Sequence, residues 1–213
     1  MQLTGHVAEV MKTRFSPGDG ANLASCSFDK TIQLWQVYHA TCKNYGMLTP
    51  HNAAVLDIAW SRDGKQLYSA AADSLVCQSD LETGERVRKF KGHLDVVQSL
   101  SVSRNDQLIA SGSDDASVGI WDPRQKEASN VIDHHVAVTA VEFSPNAEII
   151  FTGSIDNDIV AYDIRTEEPL YVLRGHNDTV TSVACSPDGT KLLSYAMDSS
   201  SESCSFSYIW TTF

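Results

Sequence analysis

The chain has 213 residues, 42% hydrophobic and 20% charged, with a formal net charge of −11 from 16 basic and 27 acidic side chains. That is an ordinary globular composition, long enough to bury a sizeable core. No apolar run approaches the roughly 20 residues of a membrane span, Met1-Gln2-Leu3-Thr4 leaves no room for a signal peptide before the first unit, and the acidic field repels phosphate backbones. An intracellular chain with protein partners is expected, with RNA contact at most indirect or local, no membrane and no small-molecule substrate.

Five histidines, His6, His51, His93, His134 and His176, recur at steps of 45, 42, 41 and 42 residues. Such a period marks a repeat architecture. It divides residues 1–213 into units of about 5–46, 50–90, 92–131, 134–173 and 175–213, all expected to form a single domain.

The first unit opens at Gly5-His6 and runs through Val10 to the turn Phe15-Ser16-Pro17. It continues with Leu23-Ala24-Ser25, a turn aspartate at Asp29, and a third strand ending six residues later at Trp35. The second opens at Pro50-His51 and repeats the order through Val55, Trp60-Ser61-Arg62-Asp63-Gly64, Leu67-Tyr68-Ser69 and Asp73. It reaches Ser79 where an aromatic belongs, which predicts a shorter hydrogen-bond set and a softer unit. Arg86, Arg88, Lys89 and Lys91 then fall on the expected fourth, outermost strand, either as edge protection against sheet-to-sheet aggregation or as a local contact for RNA or an acidic partner. The third unit passes from Gly92-His93 through Val97, Val102-Ser103-Arg104-Asn105-Asp106 and Ile109-Ala110-Ser111 to Asp115 and Trp121-Asp122. The fourth passes from Asp133-His134 through Val138, Phe143-Ser144-Pro145-Asn146 and Ile150-Phe151-Thr152 to Asp156 and Tyr162. The Pro, Asn, Asp and Gly residues sit where tight hairpin turns need them.

The fifth unit begins regularly with Gly175-His176, Val180, Cys185-Ser186-Pro187-Asp188-Gly189, Leu192-Leu193-Ser194 and Asp198. Cys204 lies six residues beyond Asp198 and Trp210 twelve, after the serine-rich Ser199-Ser200-Ser201-Glu202-Ser203. Either the hairpin loop has lengthened or the natural sequence ends near Asp198. A poorly formed third strand is expected there.

These repeats resemble WD40 β-propellers over essentially the whole chain, and Trp121-Asp122 is the dipeptide for which that family is named. Glu82-Thr83-Gly84-Glu85-Arg86-Val87, Gly112-Ser113-Asp114-Asp115, Ile155-Asp156-Asn157-Asp158-Ile159, Leu173-Arg174-Gly175-His176 and Ala196-Met197-Asp198 are similar to the WD-repeat subunits of the spliceosomal U5 small nuclear ribonucleoprotein. That resemblance implies an all-β chain, an incomplete seven-bladed propeller of about five repeats. It also implies a nuclear, non-enzymatic scaffold in pre-mRNA splicing that docks on the large central splicing scaffold protein and other spliceosomal proteins. Trp121-Asp122-Pro123-Arg124 and Tyr162-Asp163-Ile164-Arg165 also resemble the short box of substrate receptors for cullin-RING ubiquitin ligases, and a G-protein β-like or chromatin adaptor is a further alternative.

The family resemblance implies a buried chain in each blade: the turn aspartate accepts from the histidine, which bonds the hydroxyl, which meets the tryptophan N–H. The sets are His6, Ser25, Asp29 and Trp35; His51, Ser69 and Asp73; His93, Ser111, Asp115 and Trp121; His134, Thr152, Asp156 and Tyr162; and His176, Ser194 and Asp198. A hydrolase needs one Ser–His–Asp set beside an oxyanion hole, so repetition in successive units argues for a structural role. One histidine per unit likewise does not converge on a metal, and no cofactor is expected. His39 and His135 fall in loops. Cys26, Cys42, Cys77, Cys185 and Cys204 are scattered without a Cys-x-x-Cys pair, which suits reduced thiols.

WD propellers commonly recognise partners at their narrow top face, through the residues three and five after the histidine and the one before the turn aspartate. The resemblance thereby assigns protein binding to Met11, Phe28, Leu56, Val96, Asp114, Ile155 and Met197, whose apolar members form the kind of patch that marks an interface.

Overall fold

The computed structural model describes residues 3–18, 20–37, 43–105, 107–125, 128–197 and 206–210, with residues 128–129 and 206–210 described through their main chain. The described residues form strands and turns and no helix. Among the described residues no helix is therefore long and apolar enough to cross a membrane.

The strands make five antiparallel sheets, or blades, each ordered as the chain runs. Blade 1 is β1 (Val10–Phe15), β2 (Asn22–Ser27), β3 (Ile32–Gln36) and β4 (Lys43–Leu48); blade 2 is β5 (Val55–Trp60), β6 (Gln66–Ala71), β7 (Leu75–Asp80) and β8 (Arg86–Lys91). Blade 3 is β9 (Val97–Val102), β10 (Ile109–Ser113), β11 (Ser117–Trp121) and β12 (Ala128–Asp133); blade 4 is β13 (Val138–Phe143), β14 (Ile149–Ser154), β15 (Ile159–Asp163) and β16 (Pro169–Leu173). Blade 5 has three described strands, β17 (Val180–Cys185), β18 (Lys191–Ala196) and β19 (Phe206–Trp210). The chain divides into two compact units, Met1–Val97 with blades 1 and 2, and Gln98–Phe213 with blades 3 to 5.

Within each unit a blade buries the face that its neighbour presents. Ala24, Cys26, Ile32 and Leu34 of blade 1 pack with Val55, Ile58 and Leu67 of blade 2. In the second unit Ala110, Val118 and Ile120 meet Val138, Val141 and Ile150, and Phe151, Ile159 and Ala161 meet Val180, Val183 and Leu192. The valine that opens each first strand is the keystone: Val55, Val138 and Val180 are all 0% exposed, worth about 1.5–3 kcal/mol apiece. Val10, at the same place in blade 1, is 49% exposed, and Phe15 is 59% exposed. Blades 3 and 4 approach their followers closely enough to demand glycine. A Cβ on Gly112 would lie 2.6 Å from Val138 Cγ1, and one on Gly153 would lie 2.5 Å from Val180 Cγ1.

Two devices repeat and fix the register. In the turn after the first strand a serine hydroxyl donates to the Asp or Asn two residues on: Ser61 to Asp63 at 2.6 Å, Ser103 to Asn105 at 2.8 Å, Ser144 to Asn146 at 2.7 Å and Ser186 to Asp188 at 2.6 Å. The same oxygens accept the N–H of Gln66, Leu108, Ile149 and Lys191 at 2.9 to 3.0 Å. The turn is thus tied across its mouth without a longer loop. In the next turn the residue after the aspartate takes a left-handed backbone, with φ of 71° at Lys30, 62° at Ser74, 62° at Ala116 and 73° at Asn157. That conformation costs a non-glycine residue energy. The preceding carboxylate offsets it by accepting the N–H of Thr31 at 2.9 Å, Ser117 at 3.0 Å and Asp158 at 3.3 Å.

The irregular fifth unit forms its third strand after all. β19 pairs with β18 from Lys191 opposite Trp210 to Tyr195 opposite Phe206, which corrects the expectation of a poorly formed strand. The insertion does leave a trace. Leu23 faces Trp35 and Ile109 faces Trp121, but Leu192 faces Ile209, so Trp210 lies one ladder position beyond the tryptophan place.

Candidate protein-binding surface and the buried hydrogen-bond sets

The first strands of blades 1, 2, 4 and 5 each carry one extra residue near the start. The ladder steps from Val10 to Lys12, Val55 to Asp57, Val138 to Ala140 and Val180 to Ser182, leaving Met11, Leu56, Thr139 and Thr181 outside the pairing. A bulge of this kind re-aims a side chain without breaking the sheet. The last rung before it is closed by the residue preceding the turn aspartate. The N–H of Phe28 donates to Glu9 O at 3.0 Å, Ala72 to Ala54 O at 2.9 Å, Ile155 to Ala137 O at 3.3 Å and Met197 to Thr179 O at 2.9 Å. The positions three, five and about twenty-two after each histidine therefore converge on one end of their blade.

What they expose differs from blade to blade. In the first unit Met11 and Phe28, flanking one rung, are 42% and 45% exposed, while Leu56 and Val96 are half-buried. In the second unit Ile155 and Met197 are 50% and 62% exposed, whereas Asp114 is half-buried and accepts from Gln98 Nε2 at 2.8 Å. The bulged threonines turn inward: Thr139 donates to Gly153 O at 3.0 Å and Thr181 to Tyr195 O at 3.3 Å. Among the seven expected binding residues, four are open side chains and three are partly engaged.

Beneath the rim lie the hydrogen-bond sets. In blade 1 His6 Nδ1 is 2.8 Å from Asp29 Oδ2, His6 Nε2 is 2.7 Å from Ser25 Oγ, and the Trp35 indole N–H donates to Ser25 Oγ at 2.8 Å. Burial pushes the Asp29 carboxyl up, but hydrogen bonds from Thr31, His6 and the Val7 N–H outweigh it and hold the group well below the usual carboxylate range. In blade 2 His51 Nδ1 is 2.9 Å from Asp73 Oδ1 and His51 Nε2 is 2.8 Å from Ser69 Oγ. Burial depresses His51 against the pull of Asp73, which keeps the imidazole neutral. Ser79 occupies the tryptophan place and is 1% exposed, so the set ends at Ser69. The Pro50 carbonyl beside His51 accepts from Arg86 Nη1 and from the Cys77 thiol at 3.7 Å.

In blade 3 the Trp121 indole donates to Ser111 Oγ at 2.8 Å, and the Asp115 carboxylate takes the Ser117 hydroxyl at 2.6 Å. His93 is buried. In blade 5 His176 Nε2 is 2.6 Å from Ser194 Oγ; Asp198 lies outside the described residues.

Blade 4 departs from the expected set. The Thr152 hydroxyl donates to Val160 O at 3.1 Å, Asp156 takes the Ser154 hydroxyl, and His134 Nδ1 lies 3.1 Å from Val136 O. His134 Nε2 is buried without a partner. The Tyr162 ring meets the imidazole edge-on at 5.9 Å between centroids. Tyr162 offers no indole N–H, and the hydroxyl at position 152 satisfies a backbone carbonyl in place of the imidazole. His134, Thr152, Asp156 and Tyr162 are neighbours without being a chain.

The remaining candidates settle simply. Cys26 and Cys77 are buried, and burial pushes both thiols up to about 12, which suits inert core residues. His135 is exposed; His39, Cys42 and Cys204 lie outside the described residues. No cluster of three or more His, Cys, Asp or Glu able to hold a metal occurs among the described residues. Arg124 Nε sits 3.6 Å from Asp122 Oδ1 in its own turn. The basic residues of β8 lie on the fourth strand, where the sequence places them. The turn serines and the strand bulges were not singled out from the sequence, although the serine recurs visibly in all five first turns.

Comparison with known proteins agrees with this architecture. A family model described as "Nucleolar protein 10-like, N-terminal domain", a β-propeller, matches residues 5–201 and so stops short of β19. The chain is 43% identical over 191 residues to the U5 small nuclear ribonucleoprotein 40 kDa protein of Homo sapiens, covering 89% of this chain and 53% of that one. It is 42% identical over 178 residues to the protein of the same name from Dictyostelium discoideum, covering 83% and 50%. It is 38% identical over 183 residues to the pre-mRNA-splicing factor cwf17 of Schizosaccharomyces pombe, covering 85% and 53%. The chain thus spans about half the length of the curated relatives it matches. Five repeated antiparallel blades, together with a family model matched across most of the sequence, show that the chain belongs to the WD-repeat β-propeller proteins of the nucleolar-protein-10-like N-terminal family.

Proposed function

We propose that residues 1–213 work as one WD-repeat domain, part of a seven-bladed plan, that serves as a non-enzymatic scaffold of the U5 particle in pre-mRNA splicing in the nucleus. The observation that carries this reading is the 38–43% identity to relatives named for that particle and that process. A large splicing scaffold protein is the proposed partner, met by the open rim side chains Met11, Phe28, Ile155 and Met197, with Leu56, Val96 and Asp114 supporting them. A non-enzymatic role fits the burial of the repeated hydroxyls: Ser25, Ser69, Ser111 and Ser194 are all 4% exposed or less, so none is presented as a nucleophile. The net charge of −11 favours protein over nucleic acid as the direct contact.

Affinity purification of the tagged chain from nuclear extract tests the reading. U5 RNA and splicing proteins are expected to co-purify, and Phe28→Glu with Ile155→Glu should reduce their yield about tenfold while leaving the thermal midpoint nearly unchanged. Recovery of a cullin and its adaptor, or of ribosomal precursor RNA, in place of U5 components would overturn it.

A further inference from the structure

The first strands of blades 2, 4 and 5 end on a residue that faces the preceding blade beside the hairpin turns, and this position varies tellingly. In blade 4 it is Phe143, which packs into the core shared with blade 3. In blade 2 it is Trp60, packed against the core shared with blade 1, with its indole N–H donating to Arg14 O at 3.0 Å. In blade 5 it is Cys185. The opposite wall compensates in part, since Phe151 of blade 4 stands where blades 1 and 3 have Ala24 and Ala110. Compensation is incomplete. A cavity of about 380 Å³ remains, lined by Cys185, Ile149, Phe151, Pro145, Asp188 and Gly189.

The walls of this cavity repeat those around Trp60. A Cβ on Gly64 would lie 3.8 Å from Pro17, and a Cβ on Gly189 would lie 3.4 Å from Pro145, so in both places a proline turn rests on the glycine turn of the next blade. Between the first pair the chain supplies its own indole. Between the second it supplies a thiol. We propose that the notch beside Cys185 is a docking pocket for one aromatic side chain of a partner polypeptide, flanked in that partner by a basic residue.

Size, lining and charge each support this occupant. The volume lies within the range of pockets that enclose small ligands, and Ile149, Phe151 and Pro145 give it an apolar floor. A polar cleft of about 60 Å³ adjoins it through the shared Ser144, Pro145 and Cys185, and brings Arg104 and Glu142 to its edge. Such a cleft suits the polar backbone of a peptide better than a bare aryl compound. Asp188 stands exposed at the lip, and hydrogen bonds from the Ser186 hydroxyl, then the Thr190 hydroxyl and N–H, hold its carboxyl down at about 2, a fixed negative charge beside the entrance. The site lies at the opposite end of its strands from the rim residues, so the failure of either assignment leaves the other standing.

Two readings of the intact chain test it. Titration with N-acetyl-tryptophanyl-lysinamide, followed by NMR, should give saturable shifts at the amides of Ile149, Ser186 and Gly189. The leucyl-lysinamide and tryptophanyl-glutamamide counterparts should bind about tenfold more weakly. In the same samples the tryptophanyl peptide should slow maleimide labelling of the half-buried Cys185 and leave buried Cys26 and Cys77 unaffected. Cys185→Phe, which supplies the ring from within, should abolish the shifts. Absence of saturable shifts, equal binding of the three peptides, or unchanged binding to a folded Cys185→Phe chain would overturn the proposal. If that variant does not fold, unprotected labelling of the parent chain overturns it instead.

Discussion

The Thr152 hydroxyl donates to the Val160 carbonyl at 3.1 Å, across one rung of the ladder, and His134 Nε2 stays buried with no partner. Blade 4 therefore holds its histidine by packing on Tyr162 and one local contact of Nδ1 with the Val136 carbonyl, where blades 1 and 2 hold theirs by two side-chain hydrogen bonds each. A buried polar atom without a partner forfeits free energy that its counterparts keep.

That difference orders a mutation series. His51→Ala strands Asp73 and Ser69 and should destabilise the chain by about 1–3 kcal/mol, and Asp73→Ala should do the same. His134→Ala loses packing on Tyr162 but strands no hydroxyl, and should cost about 1 kcal/mol less than His51→Ala. Urea denaturation midpoints of the three variants measure the ranking; equal losses at positions 51 and 134 would contradict the geometry.

Acid sensitivity follows from the direction of the shifts. Burial depresses both His51 and His134 below the ordinary 6.5. A depressed folded value means that the unfolded chain takes up protons first, so this stability is complete above about pH 6.5 and declines as pH falls through the folded values. A second decline belongs below the ordinary carboxylate value of 3.8, as Asp29, Asp63, Asp80 and Asp188 are all lowered. Thermal midpoints measured from pH 8 to pH 3 should be flat, then fall in these two stages. His51→Gln should shrink the first.

Close approach between blades predicts a contrast between two glycines. Gly153→Ala drives a methyl to 2.5 Å from Val180 Cγ1 and should cost about 1–3 kcal/mol, whereas Gly175→Ala meets no atom within 4 Å and should be nearly neutral. Thermal melts of the pair decide the matter, and a neutral Gly153→Ala would show that blades 4 and 5 sit further apart.

The legible part of this molecule was its periodicity. Histidine, valine, serine and aspartate at fixed spacing located the first three strands of blades 1 to 4, with β8, β17 and β18, because a ladder with a buried face ties sequence position to side-chain direction, and the family resemblance supplied the two-bond contacts of His6 and His51. The fate of Thr152 was hidden, since a threonine hydroxyl can serve an imidazole or a backbone carbonyl and the residue spacing is the same in either case. Also hidden was β19, whose pairing outweighed a serine-rich insertion. The bulges at Met11 and Leu56 leave no mark in composition, being a count of residues against a partner strand rather than a residue type.

Exposure of the valine keystone in blade 1 predicts a difference in tolerance. Val10→Thr should change stability by no more than about 0.5 kcal/mol, while Val180→Thr buries a hydroxyl in an apolar contact and should cost about 1–3 kcal/mol. Val10→Thr combined with Phe15→Ser should also reduce self-association in sedimentation velocity, since both side chains are open. Concentration-independent sedimentation of the parent chain would remove the ground for that last expectation.

The bulge gives the fold a particular freedom. Met11 and Leu56 project from a sheet yet belong to no rung of it, so exchanging either residue leaves every backbone pairing as it was. Beside Leu56 the keystone Val55 is fully buried and stays under constraint, while the bulged position can be revised without moving a rung. If the rim binds as proposed, recognition at Leu56 and folding at Val55, adjacent by a single peptide bond, are left to vary on separate schedules.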